Sequence, residues 1–317
     1  MRNLTIKTQK RSLTRTMDTI QTNSRVDEMT SAYRQQADGR ETVLQGSHVV
    51  CFIALILLGI MSGVSQAAAS KLTADDSETF DHFGHAVAID HNTVLVGAYS
   101  KQGLIDDGAV YVFKHNGSTW EPASRLRPLD PGWPSRHFGY AVAVDANTAI
   151  VGAPWASGGG SAYIFQYDGI EWYQQARLVA NDANGDFVLF GCSVAVNGDT
   201  VIVGAKNDNQ GSENSGAAYI FKRDGSIWTQ QTKLKASDAD ADPWFGHAVA
   251  IDANTAVVGA HSVGWNTPSG WAYIFQWNGS TWTEKARLME NDSSDCVAIC
   301  DRTVVSDWRG LEVIPHE

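Results

Sequence analysis

The stretch Phe138-Gly139-Tyr140-Ala141-Val142-Ala143-Val144, followed by Val151-Gly152-Ala153-Pro154 and Ala162-Tyr163-Ile164-Phe165, decides the fold, because it occurs four times. Phe-Gly stands at Phe83-Gly84, Phe138-Gly139, Phe190-Gly191 and Phe245-Gly246, at spacings of 55, 52 and 55 residues. Each copy continues in one register. Val-Gly-Ala follows at Val96, Val151, Val203 and Val258, then a tyrosine at Tyr111, Tyr163, Tyr219 and Tyr273. Nine residues beyond each tyrosine stands a tryptophan (Trp120, Trp172, Trp228, Trp282), and fifteen beyond stands a leucine (Leu126, Leu178, Leu234, Leu288). A period of this length carrying several linked motifs marks a repeat architecture.

Within a copy, four short apolar runs rich in Val, Ile, Tyr and Phe are separated by Gly, Asn and Asp, which is the pattern of strands joined by tight turns. We label them A (after Phe-Gly), B (ending Val-Gly-Ala), C (around the tyrosine) and D (tryptophan to leucine). Between C and D lie Asn116-Gly117, Asp168-Gly169, Asp224-Gly225 and Asn278-Gly279; such pairs predict type I′ hairpins with both residues at positive φ. One copy is therefore a four-stranded antiparallel meander. It cannot bury both faces alone, and stacking such units radially gives an all-β propeller. The repeated aromatic residues and leucines are then blade packing.

The linked motifs, complete at Val151-Gly152-Ala153-Pro154, resemble the FG-GAP repeat of integrin α-subunit propellers and related exported bacterial proteins. Tyr99, Lys206 and His261 replace the final proline elsewhere. The resemblance covers residues 71–314. It implies an extracellular protein that binds a ligand on one propeller face, often with calcium.

Beyond Leu288 the pattern decays. Val297-Ala298-Ile299 matches strand A, Val304-Val305 strand B and residues 310–314 the start of C, but the Phe-Gly slot reads Ser293-Ser294. The expectation is four full repeats plus a partial fifth, closed into a five-bladed ring by a D strand from residues 70–74, which removes exposed edges. The competing reading is a truncated larger propeller, left open or completed by oligomerisation.

Residues 49–61 carry no charge and precede small residues. Thirteen apolar residues suit a signal-peptide core better than a membrane span. Residues 49–69 are thus read as a secretory signal or short membrane anchor, residues 1–48 as a polar, disordered leader, and residues 70–317 as the propeller. The whole chain has 24 Lys/Arg and 35 Asp/Glu; residues 1–69 hold 8 and 5 of them, so the remainder carries a net charge of −14. Such a surface repels phosphate backbones and anionic lipid, excluding nucleic acid as a partner. Cys192, Cys296 and Cys300 form no disulfide framework.

The D-to-A and B-to-C connections emerge on one face and are the longer, more variable ones, as loops that carry function tend to be. Trp133 and Trp244 lie in D-to-A loops, Trp155 and Trp265 in B-to-C loops, with Asp106 and Asp107 beside them. Aromatic rings beside carboxylates suit a glycan or a protein partner. The runs Asp182, Asn184, Asp186 and Asp238, Asp240, Asp242 begin as a calcium loop does. Phe187 and Pro243 stand where its glycine belongs, so calcium is a weak expectation. His85 and His247, directly after Phe-Gly, read as packing residues. No catalytic set stands out, so an exported binding or adhesion propeller, extracellular, on the cell surface or periplasmic, is expected ahead of a carbohydrate-active enzyme or a purely architectural module.

Overall fold

The computed structural model describes residues 71–76, 78–100, 108–129, 137–182, 187–208, 215–237, 244–261, 270–290, 297–300 and 303–306. The leader and signal or anchor readings lie outside these residues. Four antiparallel sheets follow the repeats. Blade one is β1 (Phe83–Asp90), β2 (Thr93–Ala98), β3 (Ala109–His115) and β4 (Trp120–Leu126). Blade two is β5 (Ala141–Asp145), β6 (Thr148–Ala153), β7 (Ser161–Tyr167) and β8 (Trp172–Leu178). Blade three is β9 (Phe190–Asn197), β10 (Thr200–Ala205), β11 (Ala217–Asp224) and β12 (Ile227–Leu234), and blade four is β13 (Ala248–Asp252), β14 (Thr255–His261), β15 (Gly270–Trp277) and β16 (Trp282–Glu290). A two-stranded pair follows, β17 (Val297–Cys300) and β18 (Thr303–Ser306), of which β17 packs against β13 and β14. Closure into a ring is not among the described contacts.

Phe-Gly forms the centre of a tight turn in every blade. The residue two beyond Phe donates its N–H to the carbonyl of the residue before Phe, as in Tyr140 to His137 and Cys192 to Leu189, both at 3.1 Å. The glycine has φ between 88° and 93° in all four copies, which a type II turn requires at that place and an L side chain resists. The residue before Phe is also left-handed without being glycine: His82, His137, Leu189 and Trp244 have φ of 54°, 62°, 57° and 74°. This backbone course sends Phe138, Phe190 and Phe245 into the core with no exposed surface. There Phe138 meets Tyr163 and Phe165 edge-on, at 5.5 and 5.9 Å, and Phe190 and Phe245 repeat the arrangement.

The second glycine of the repeat works across the seam. A Cβ placed on Gly97, Gly152 or Gly204 would lie 2.1, 2.0 or 2.0 Å from the carbonyl oxygen of Gly139, Gly191 or Gly246 in the next blade. Val-Gly-Ala of one blade thus touches Phe-Gly of the following one, backbone to backbone. Apolar side chains close the same seam: Val142 and Val144 pack on Leu95, Val110 and Val112, and Val249 and Ile251 on Ile202, Ala218 and Ile220. Hydrogen bonds fix the outer and lower edges. Trp228 and Trp282 donate to Gln175 and Gln231 of the preceding blades at 2.7 and 3.2 Å. The amides of Leu129 and Asn181 reach forward to Gln174 and Gln230. In the A-to-B turns, Asp90, Asp145 and Asn197 accept from the amides of Ala146, Gly198 and Ala253 one blade on.

Blade one shows the same docking side without a neighbour among the described residues. Gly84 keeps φ +88° with nothing within 4 Å, and Val87 and Ile89 are 67% and 66% exposed. Leu72 and Ala74 pack on its core as Leu178 and Ala180 do on blade three. Tyr111 donates to Asp76 at 2.7 Å, as Tyr219 does to Asp182 at 2.9 Å. Residues 71–76 therefore sit where the tail of a preceding D strand sits elsewhere.

The C-to-D turns depart from the type I′ expectation. Gly117, Gly169, Gly225 and Gly279 have positive φ, whereas Asn116, Asp168, Asp224 and Asn278 do not. In three of them the Asn or Asp side-chain oxygen instead accepts the amides two and three residues on. That local bond holds the residue in an Asx turn and leaves the left-handed step to glycine alone.

One seam lacks a bond. Trp172 Nε1 is buried without a partner, because Ala123 of blade one stands where blades two and three present Gln175 and Gln231. Restoring the acceptor satisfies a buried donor, worth about 1 kcal/mol. Ala123→Gln should raise the melting temperature by roughly 2–4 °C, measured by calorimetry; an unchanged or lower value would refute this assignment.

Candidate functional site

Trp155, in the B-to-C loop of blade two, is 41% exposed. It lies against His137 of its own D-to-A loop at 6.0 Å and against Phe187 of blade three at 6.2 Å. Phe187 is 69% exposed. From His137 the contact continues into blade one: Tyr99 at 5.0 Å, then His82 stacked on Tyr99 at 4.6 Å and 20°. Tyr140 and His85 fill the flank, each touching Tyr99, at 5.6 and 4.5 Å. Seven rings from three blades thus form one continuous band. B-to-C and D-to-A connections meet there, as the expected loop face requires.

The repeat explains the band. His82 and His137 precede Phe-Gly in the left-handed conformation, His85 and Tyr140 follow it, and Tyr99 follows Val-Gly-Ala. These three repeat positions from neighbouring blades converge at each seam, and blades one and two fill them with rings. Burial and the neighbouring His82 hold the His85 imidazole below its usual pKa. Burial likewise pushes the Tyr140 phenol up. At the next seam but one, Lys206 lies over the ring of Trp244, 4.9 Å from its centre, and Trp244 also meets His247.

The structure places the expected site residues as follows. Trp155 joins the band, and Trp244 is half-buried under Lys206. Trp133, Trp265, Asp106, Asp107, Asn184, Asp186, Asp238, Asp240 and Asp242 lie outside the described residues. Asp182 is an inter-blade latch: it accepts from Tyr219 and pairs with Lys233 at 2.9 Å. Lys233 Nζ also lies 2.9 Å from Asp208, which is 2% exposed and bonded to the Tyr219 hydroxyl. Burial opposes the Asp182 charge, but Lys233 and Tyr219 outweigh it and hold the carboxyl below its usual range. The ammonium already supplies the positive charge that a cation would bring. Among the described residues no group of three or more His, Cys, Asp or Glu side chains is set to hold a metal. Cys192 is buried, which raises its thiol pKa and keeps it unreactive.

The chain thus repeats one type II Phe-Gly turn four times, and three of these turns are docked by a Val-Gly-Ala glycine of the preceding blade. The FG-GAP repeat model matches residues 67–113, 120–165, 172–221 and 228–275. The chain belongs to the FG-GAP repeat family. A search of curated proteins gave no match. The first matched segment covers β1–β3, and each later one takes the outer strand of one sheet with the first three strands of the next, so this FG-GAP chain is a repeat-built, propeller-type module. Five rings of the band that the repeat pattern alone does not mark as site residues, His82, Tyr99, His137, Tyr140 and Phe187, carry one signal in the sequence: aromatic residues clustered around the two motifs in consecutive repeats.

Proposed function

We propose that this FG-GAP protein is an exported, surface or extracellular binding propeller, without catalysis of its own, that engages a glycan or protein ligand through its D-to-A and B-to-C loop face. The observation that carries the reading is the aromatic band from His82 to Phe187, partly exposed. Rigid rings contribute contact area at low entropic cost. Propeller blades host many functions, so the reading rests on this site and not on the fold. The uncleaved or cleaved segment at residues 49–69 delivers the protein to the exterior.

Closure is part of the same proposal. A fifth blade combines β17 and β18 with residues 71–76 as its outer strand, and covers Gly84, Val87 and Ile89. Support comes from the placement of residues 71–76 on blade one and of β17 on blade four. In a closed ring, a Val87→Cys thiol should resist maleimide until the protein is unfolded; rapid labelling of the folded protein would show an open seam.

Binding is tested by screening the protein on glycans and extracellular-matrix proteins, with and without calcium, beside a Trp155→Ala/Phe187→Ala double variant. The expected result is a bound ligand lost in a variant of unchanged melting temperature. Binding indifferent to both substitutions would remove the band from the site.

A further inference from the structure

The hairpin tip of blade one brings a reactive pair together with a base. Asn116 is followed by Gly117, and a glycine at this place leaves the backbone nitrogen unshielded by any Cβ. Gly117 N–H donates to His115 Nδ1 at 3.2 Å. Asn116 Oδ1 accepts two backbone N–H groups, from Ser118 and Thr119, both at 2.9 Å. Its Nδ2 donates to Glu121 at 2.6 Å and to Thr119 at 3.1 Å. The tip is exposed to water.

We propose that Asn116 is a site of self-catalysed deamidation, with His115 as the base. His115 Nδ1 takes the proton from the Gly117 amide nitrogen, which attacks Asn116 Cγ and closes a five-membered imide. The two amides on Oδ1 stabilise the negative charge that develops there, as an oxyanion hole does. The Cγ–Nδ2 bond breaks, and the proton held by His115 leaves with Nδ2 as ammonia. Water then opens the imide at either carbonyl, giving aspartate or isoaspartate. A positioned base is the element that an isolated Asn-Gly pair lacks.

The repeat supplies internal comparisons. Asn278-Gly279 has the same oxygen contacts, from Ser280 and Thr281 at 2.9 Å. Trp277 stands in the place of His115, and Thr283 in that of Glu121, so this tip has the oxyanion contacts without the base. In blade two, Asp168 occupies the same turn as the product would, with its carboxylate accepting the amides of Ile170 and Glu171. Those bonds hold its pKa below the usual range, so the turn accommodates the aspartate that the reaction delivers. The isoaspartate product instead lengthens the backbone by one methylene at the outer edge of blade one.

The test incubates the full purified protein and follows residues 116 and 278 by peptide mapping with mass spectrometry that separates aspartate from isoaspartate. Residue 116 should convert several-fold faster than residue 278. His115→Phe, which keeps a ring against Trp120, should lower the rate at 116 to that at 278, and Trp277→His should raise the rate at 278. Equal rates at the two tips, or a rate at 116 indifferent to His115→Phe, would overturn the proposal. The comparison between tips and the Trp277→His gain decide the matter even where His115→Phe does not fold.

Discussion

Every seam between blades depends on one contact, the approach of a strand-B glycine to the carbonyl of the next Phe-Gly turn. No side chain fits between them: a single methyl at Gly152 would lie 2.0 Å from the Gly191 oxygen. The close approach sets the spacing at which the rest of the interface engages. Phe190 reaches its pocket, the valines of the inner strand meet the preceding sheet, and the Trp-to-Gln bonds span the outer strands. The type II turn is the other half of the contact. It aims the carbonyl at the neighbouring backbone, and only a left-handed glycine lets the chain turn there without strain.

Because the contact has two unlike halves, docking has a direction. Each blade offers a strand-B glycine to its successor and a Phe-Gly turn to its predecessor. Blade one offers its turn to no described neighbour, and that side is where two valine-class side chains remain exposed. The same directionality brings loop residues from consecutive blades together at each seam. The aromatic band is a product of the structural repeat, since the residues that flank the two motifs meet wherever two blades meet. The sequence of each blade then decides whether that meeting place carries rings, as between blades one and two, or a lysine over tryptophan, as between blades three and four.

The strands, their order and the limits of the four blades were readable in the sequence because the motifs recur in fixed register and the apolar runs are short. The packing role of Phe, Tyr, Trp and Leu followed from the same recurrence. Seam chemistry was not readable. Gly152 and Gly191 are 39 residues apart, and nothing local says that they touch. Asp182 looked like the first residue of a cation loop; Lys233, from the next blade, makes it a latch. The Asn-Gly tips were read as type I′ turns, a choice that propensity favours. The Asx bond to the following amides supplied an alternative that composition cannot distinguish. The band was legible only in part, through Trp155, because its members occupy five different repeat positions.

The most direct test of the glycine seam is the stability of Gly152→Ala in chemical denaturation. Gly152, unlike the turn glycines, does not have a left-handed φ, so the substitution adds no backbone strain and reports the contact alone. A clash with backbone cannot relax by a rotamer change, and the account predicts a loss of about 1–3 kcal/mol or more. A change within about 0.5 kcal/mol, the range of an ordinary surface substitution, would contradict it and leave the blades held by side-chain packing alone.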